Sequence, residues 1–260
     1  MAVSSLGAIS EYHELLFAWA SRTIRARYQQ SVLGGLWAVL QPAATVAIFT
    51  IIFTQFIPID MRVPYVIFAY TAMVPWTFFA ASISDMGDSL IINMNLVSKI
   101  YFPRQILPIA ALLARLMDFC IAGSILVLLM IYYQVPFFAL GWLFIPFILI
   151  TQMVLALGIG LTAAALNVFY RDVKHLIGLG LQLWLYATPI VYPIDVVPER
   201  FLPFYFLNPM VGIIEAYRAI VLRAELPGPY IFISVGIATV VFIFGYWFFK
   251  RVESQFADLV

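Results

Sequence analysis

The chain has 260 residues, of which 64% are hydrophobic and 10% charged, with a formal net charge of +1. Soluble globular domains carry about 25% charged residues, so too few polar side chains are present to cover a water-exposed surface. The near-neutral charge indicates no nucleic-acid partner, and a single cysteine and two histidines give no disulfide framework or thiol metal cluster. The composition therefore predicts an integral membrane protein without a metal site.

The N-terminal segment 11–28 has the pattern of an amphipathic helix. Leu16 and Trp19 belong to an apolar stripe at helical spacing, whereas Arg22 and Arg25 occupy the opposite side. A helix with a basic face and Trp and Leu on the other is expected to lie along the inner membrane surface. Packing of the same helix against the chain's own transmembrane bundle is compatible with that position.

Six segments are long and apolar enough to span roughly 30 Å of hydrocarbon. They are residues 35–57, 65–84, 106–132, 139–166, 175–192 and 229–249. The first begins too far along the chain for a cleavable signal peptide, so we expect it to be a retained anchor. If both termini are cytoplasmic, nine Lys and Arg residues are inside and four outside, as the positive-inside rule requires. The inner set is Arg22, Arg25, Arg27, Lys99, Arg104, Arg171, Lys174, Lys250 and Arg251, and the outer set is Arg62, Arg200, Arg218 and Arg223.

Two connecting segments have helical patterns of their own. Residues 85–99, between the second and third crossings, form a predicted short amphipathic helix on the cytoplasmic side, with an ordinary loop helix as the alternative. Residues 209–222 form a predicted helix with Asn208 as N-cap and Pro209 at the first helical position. At about 21 Å this helix is too short, and too polar, to span easily. We expect it to be re-entrant or interfacial, facing protein or water.

The sequence contains no recognisable catalytic constellation. It has no HExxH motif, no DxD pair and no plausible Ser/His/Asp set. These absences argue against the alternative of a membrane-embedded glycosyl or acyl transferase. The phosphate-binding pattern G-x-x-x-x-G-K-[ST] is also absent, so an ATP-driven process would require another polypeptide.

Charged and aromatic side chains within the crossings are candidates for a polar pathway. Arg115 and Asp118 share the third crossing at i, i+3 spacing, and are predicted to pair, either to lock helix packing or to line a pathway. Aromatic residues of the first and fifth crossings either line a saccharide path, because aromatic faces stack on sugar rings, or simply pack. These residues are Phe49, Phe53, Trp184, Tyr186 and Tyr192.

Five spaced motifs in the polar segments occur in a recognisable order. They are RARYQQSVLGGLWAVLQP at 25–42, NLVSKIYFPRQILP at 95–108, NVFYRD at 167–172, TPIVYP at 188–193 and LNPM at 207–210. Together, over nearly the whole chain, they resemble the type-two ABC export permeases for O-antigen and teichoic-acid polysaccharides.

This resemblance implies an all-α homodimer of six-helix subunits, bound to two copies of a nucleotide-binding ATPase that holds the ATP and Mg. The substrate would be a polysaccharide on an undecaprenyl diphosphate carrier, and both termini would be cytoplasmic in the bacterial inner membrane. Residues 1–260 would form one transmembrane domain. Its parts would be an interface helix within 1–34, five crossings in 35–192, a re-entrant external segment 193–228, and the sixth crossing with its tail in 229–260.

The resemblance also implies roles for particular residues. The loop helix 85–99 would be the coupling helix that docks on the ATPase, through Asp88, Leu90, Met94, Asn95 and Lys99. The interface helix would meet lipid and diphosphate headgroups through Arg22, Arg25 and Arg27, although each of these also serves as a topology determinant. A drug or small-lipid exporter of the same architecture remains an alternative, as does a secondary flippase or channel that works without an ATPase.

Overall fold

The computed structural model describes residues 12–29, 31–56, 63–100 and 102–257, and within these ranges the chain is helical with no β-strand. The predicted segments 1–34, 35–57 and 229–260 extend beyond these ranges, and Arg62 lies outside them. The helices are α1 (His13–Tyr28), α2 (Trp37–Ile51), α3 (Tyr65–Ile92), α4 (Met94–Val97), α5 (Ile106–Tyr132), α6 (Ala139–Trp142), α7 (Ile145–Phe169), α8 (Val173–Tyr186), α9 (Leu202–Tyr205), α10 (Pro209–Arg218) and α11 (Tyr230–Val252). Helical turns of 3-10 or π type extend several of them, at Gly34–Leu36, Ile52–Phe56, Ala219–Arg223 and Glu253–Ala257.

Five helical stretches of the described chain are long and apolar enough to cross a membrane. They are Gly34–Phe56, Tyr65–Ile92, Ile106–Tyr132, Ala139–Phe169 and Tyr230–Phe256. The third predicted crossing matches α5 at both ends. A sixth candidate span exists only if Glu199–Tyr205 and Pro209–Arg223, bent by 108°, are counted together.

The fifth predicted crossing, 175–192, is only partly helical. Its helix α8 has 14 residues and is therefore about 21 Å long. The helix ends before Pro189, which lacks an amide hydrogen and disfavours helical conformation at Thr188. An irregular segment follows, so the predicted crossing is helical only up to Tyr186 and is not among the five stretches above.

The segment from α8 to the irregular turns nevertheless runs along most of α3. At one end Lys174 Nζ lies 2.8 Å from Asp88 Oδ2. At the other end the Tyr65 hydroxyl donates to the carbonyl oxygen of Val191 at 2.7 Å. The two α3 residues are about 34 Å apart along the helix axis. We call the end that carries Lys174 the basic end of the bundle, and the end that carries Tyr65 the opposite end.

Helix α3 is the central helix of the bundle and packs against both α5 and α7. In the most apolar part of α3, 78% of the residues are buried, whereas in that of Gly34–Phe56 only 11% are. The helix continues to Ile92 rather than ending near residue 84, since the charged residues of its last two turns have partners on neighbouring helices. The separate helix predicted over 85–99 is therefore wrong: Asn93 leaves helical geometry, and only the single turn α4 follows it.

Helices α7 and α11 approach until their backbones touch. A Cβ built on Gly158 would lie 2.6 Å from the backbone nitrogen of Phe242, and one built on Gly245 would collide with the carbonyl oxygen of Gly158. Small residues permit this contact because membrane helices associate through close packing rather than through hydrophobic exclusion from water.

Candidate functional site

A cluster of charged side chains joins α1 to α3 and α5. Arg27, in the last turn of α1, donates to Asp85 Oδ2 at 2.5 Å and to Asp118 Oδ2 at 2.9 Å. Arg115 donates to both carboxylate oxygens of Asp85, at 2.7 and 2.9 Å, and to Asp118 at 2.9 Å. The Tyr28 hydroxyl also donates to Asp118. We call these five residues the ion-pair cluster.

The ion-pair cluster balances two positive charges against two negative ones in a partly buried position. The exposed fractions of its four charged side chains lie between 12% and 26%, so solvent screens the pairs only in part. Burial, and then the hydrogen bond to the Asp118 carboxylate, raise the pKa of the Tyr28 phenol. The tyrosine therefore keeps the proton that it donates to Asp118 at neutral pH.

The predicted pair of Arg115 and Asp118 is confirmed, with Nη1 and Oδ2 2.9 Å apart. Sequence reasoning missed that Asp85 and Arg27 belong to the same cluster, since it had assigned Asp85 to a cytoplasmic helix and Arg27 to the lipid headgroups. A signal was available: both residues carry charge beside predicted crossings, where an ionised group needs a partner. Sequence spacing alone could not say which helices would meet.

The position of Arg27 corrects the predicted headgroup contact for that residue. Asp118 lies twelve residues after Ile106 at the start of α5, which is about 18 Å along the helix. The end of α1 therefore reaches well up the side of the bundle, and the Arg27 guanidinium is occupied by two carboxylates. Arg27 is thus a structural link between helices, and no longer a candidate ligand for a diphosphate.

The other two arginines of α1 are exposed. The Arg22 guanidinium lies 4.4 Å from the centre of the Trp19 ring, and Arg25 donates to the Ser21 hydroxyl at 3.3 Å. A cavity of about 400 Å³ lies between α1, α3 and α5 at the basic end. Arg22 lines it together with Asp88, Ser89 and Asn93 among other residues.

The residues predicted for ATPase coupling divide into an internal and an external group. Leu90 is fully buried, which is contrary to a direct contact with a partner. Asp88 pairs with Lys174, and the Asn167 amide donates to Asp88 Oδ1 at 3.3 Å and to the Gly87 carbonyl oxygen at 2.9 Å. These contacts join the basic ends of α3, α7 and α8.

The external group lies on α4 and around it. Asn95 and Lys99 are exposed, and Met94 is half-buried. Ile92 and Ile100 are large apolar residues with exposed fractions of 76% and 56%. Exposed isoleucines thus lie beside exposed polar side chains in this short stretch.

At the opposite end, Arg218 is buried in α10 with an exposed side-chain fraction of 1%. Its guanidinium lies 3.1 Å from Glu215 Oε1, donates to the Ile190 carbonyl oxygen at 2.8 Å, and lies 3.7 Å from the centre of the Phe68 ring. Arg223 also binds Glu215, at 3.1 Å. The carboxylate, the carbonyl and the ring compensate for the burial of the Arg218 charge.

The predicted aromatic set also divides. Trp184 packs edge-on against Phe79 and its indole nitrogen donates to Asn208 Oδ1 at 2.8 Å, so it has a packing role. Asn208 caps α10, as predicted, by accepting from the Met210 amide at 3.1 Å. The structure therefore assigns Trp184 and Asn208 to one contact between α8 and α10.

Of the remaining aromatic residues, Phe49, Phe53 and Tyr192 are partly buried against the core, and Tyr186 is exposed. Phe53 stacks between Phe49 and Tyr65, with ring centres 6.2 and 5.4 Å apart. Tyr186 is 56% exposed, and the Tyr192 hydroxyl shares a hydrogen bond with the Tyr205 hydroxyl. Across the described ranges, no group of three His, Cys, Asp or Glu side chains could hold a metal ion.

Comparisons with known proteins agree with this architecture. Residues 14–222 match the ABC-2 type transporter family. The chain is 30% identical over 250 residues to an O-antigen export system permease protein of Klebsiella pneumoniae, covering 95% of each chain. It is 27% identical over 255 residues to a protein of the same name from Myxococcus xanthus, covering 96% of each. It is also 24% identical over 229 residues to a polysialic acid transport protein of Escherichia coli, covering 84% of this chain and 82% of that one. The chain therefore belongs to the ABC-2 type transporter family, as a multi-pass membrane subunit of a transporter that works with an ATPase.

Proposed function

We propose that this chain is the permease subunit of an ATP-driven exporter that moves a lipid-linked polysaccharide, such as O-antigen, across the bacterial inner membrane. The carrier is undecaprenyl diphosphate. The observation that carries the proposal is the similarity to O-antigen export permeases over 95% of both chains. The permease supplies the passage and the surface for the ATPase, while ATP and Mg are bound by the partner.

The basic end of the bundle faces the cytoplasm in this proposal. The predicted count of nine basic residues inside and four outside supports that orientation. Several of the nine, including Arg104, Lys174 and Lys250, lie at helix ends on this side, where a positive charge stays close to water and lipid phosphates. Both termini are then cytoplasmic.

The ATPase docks on the exposed stretch from Ile92 to Ile100. Asn95 and Lys99 offer polar contacts and the two isoleucines offer apolar ones, while α4 gives the stretch a fixed shape. Helix α3 continues directly from this stretch to Asp85 in the ion-pair cluster. A displacement at the docking stretch is therefore transmitted along one rigid helix to Arg27 and so to α1.

The lipid carrier approaches the cavity of about 400 Å³ beside α1. Arg22 and Arg25 are the exposed basic residues of this helix and provide the charge for a diphosphate, which binds guanidinium groups through paired hydrogen bonds. Arg27 holds the helix in place through the ion-pair cluster. Helix α1 thus combines a fixed end with a basic face toward the lipid headgroups.

The polymer passes between two copies of the chain. The stretch Gly34–Phe56 is largely unburied, and α8 exposes Leu176, Leu179 and Leu183 along its length. A homodimer covers part of these surfaces and leaves a path bordered by the aromatic residues of the first and fifth crossings. Phe49, Phe53, Tyr186 and Tyr192 are the candidates that remain for sugar stacking.

The bent pair Glu199–Tyr205 and Pro209–Arg223 forms a re-entrant hairpin at the periplasmic exit. Its sharp bend of 108° and the burial of α10 against the bundle support a hairpin that enters and leaves on one side. Irregular backbone at membrane depth is tolerated where it is buried in protein or lines a cavity.

Purification of the tagged chain from the membranes of its native host tests the proposal. We expect a soluble ATPase to co-purify in a one-to-one ratio, and ATP hydrolysis to depend on both subunits. Retained transport by the purified chain without an ATPase would contradict the proposal and favour a secondary flippase or channel.

A further inference from the structure

The C-terminal turn Glu253–Ala257 extends α11 and lies beside the loop that precedes α5. The backbone amide of Arg104 donates to Glu253 Oε1 at 3.0 Å, and the Arg104 guanidinium donates to the Glu253 carbonyl oxygen. Lys250 Nζ lies 2.7 Å from Glu253 Oε2. Glu253 therefore binds to its own helix and to the loop that precedes α5 at the same time.

Phe256 fixes this turn by burying its ring completely. The ring centre lies 5.6 Å from that of Phe249 on α11 and 5.9 Å from that of Phe169 at the end of α7. The Arg104 guanidinium lies 5.8 Å from the same ring. Ser254 and Gln255 beside it are exposed, so one aromatic residue joins the turn to the end of α7 and to the loop before α5.

Asp88 and Asn167 join the basic ends of α3, α7 and α8, and the contacts of Phe256 connect the C-terminal turn to the same group of helix ends. Asn167 ties the end of α7 to α3, and Phe169, two residues later, contacts Phe256. Through Glu253 and Phe256 the same connection reaches Arg104, five residues after the docking residue Lys99. The docking stretch thus follows directly from α3, and the C-terminal turn binds Arg104, four residues after the stretch ends at Ile100.

We propose that Glu253 and Phe256 form a clasp that positions the ATPase-docking stretch Ile92–Ile100, so that partner binding depends on the C-terminal turn. This inference rests on the proposed function, because it concerns how the same docking surface is held. The two residues act through Arg104 and the loop around it and do not contact the ATPase. They are positioning residues: their loss displaces the docking stretch, although every side chain of that stretch is still present.

The test measures binding of the co-purifying ATPase to the detergent-solubilised chain by titration, for Phe256→Ala, Glu253→Ala and the conservative Phe256→Leu. Phe244→Ala is the matched control, because Phe244 is a phenylalanine of α11, the helix that the turn extends, and is 56% exposed. Thermal melting followed by tryptophan fluorescence reports whether each variant is folded. Glu253→Ala removes only the polar half of the clasp and keeps the test decisive if Phe256→Ala does not fold.

We expect at least a fivefold rise in the Kd of the ATPase for Phe256→Ala and Glu253→Ala, recovery to within twofold of wild type for Phe256→Leu, and no change for Phe244→Ala. Folded variants of both clasp residues that bind like the control would overturn the clasp while leaving the proposed function intact. A wild-type chain that binds no ATPase would instead overturn the proposed function, and the clasp with it.

Discussion

Replacement of Asp118 by asparagine is the most informative perturbation of the ion-pair cluster. The change keeps the shape of the side chain and removes the negative charge that faces Arg27, Arg115 and Tyr28. A hydrogen bond to a charged group contributes about 1.5–3 kcal/mol to stability. The amide oxygen of the asparagine can still accept from some of these three donors, so part of this contribution is kept. Since the Asp118 side chain is 12% exposed, screening reduces the effect only modestly. We expect a loss of about 2–3 kcal/mol in the free energy of unfolding.

For a chain of this size, 1 kcal/mol changes the melting temperature by roughly 2–4 °C, so Asp118→Asn should lower Tm by about 5–10 °C. Tryptophan fluorescence is a suitable probe, because the chain contains six tryptophans. Asp195→Asn is the matched control: the same chemical change at an exposed site should shift Tm by about 1 °C or less. A Tm of Asp118→Asn equal to that of the control would refute the view that the cluster fastens α1 to the bundle.

Further predictions concern the contact between α7 and α11, the burial of Leu90 beside the exposed docking stretch, and the hydrogen bond of Trp184. Gly245→Val should lower Tm by several degrees, because its side chain would collide with the backbone of α7, whereas Gly236→Val, with open space around it, should not; unchanged melting of both would contradict the backbone contact. Leu90→Ala should destabilise the chain by about 2–5 kcal/mol through a buried cavity. Ile92→Asp should leave Tm unchanged while weakening co-purification of the ATPase. Equal losses of stability for Leu90→Ala and Ile92→Asp would refute the burial of Leu90 and the exposure of Ile92. Trp184→Phe should lose about 1 kcal/mol with its hydrogen bond, as measured by the same melting assay.

Several parts of the fold follow from short-range properties of the sequence and were predictable. Helix α5 was predicted at both ends from the apolar run 106–132, which is long enough to span the hydrocarbon. The cap of α10 by Asn208 follows from the preference of Asn for the N-cap position, with Pro209 at the first helical position. Each of these features depends on residues within a few positions of one another.

The features that were missed depend on residues distant in the sequence. The sequence pattern places Asp85 at the start of a cytoplasmic helix, but α3 is helical through that position and the partner Arg115 lies thirty residues further on. The apolar pattern of α3 likewise could not show that Leu90 is covered while Ile92 is exposed. Arg27 was assigned to headgroups because basic residues near membranes usually contact them, and only the packing of α1 on α5 reveals its acidic partners.

Export of the polysaccharide by this chain is tested most directly by locating the polymer in the native host after the gene for this chain is deleted. We expect surface polymer to disappear, lipid-linked polymer to accumulate inside the cell, and both defects to be reversed by the wild-type chain together with an active ATPase partner. Surface polymer at the wild-type level in the deletion strain, without internal accumulation, would contradict this expectation.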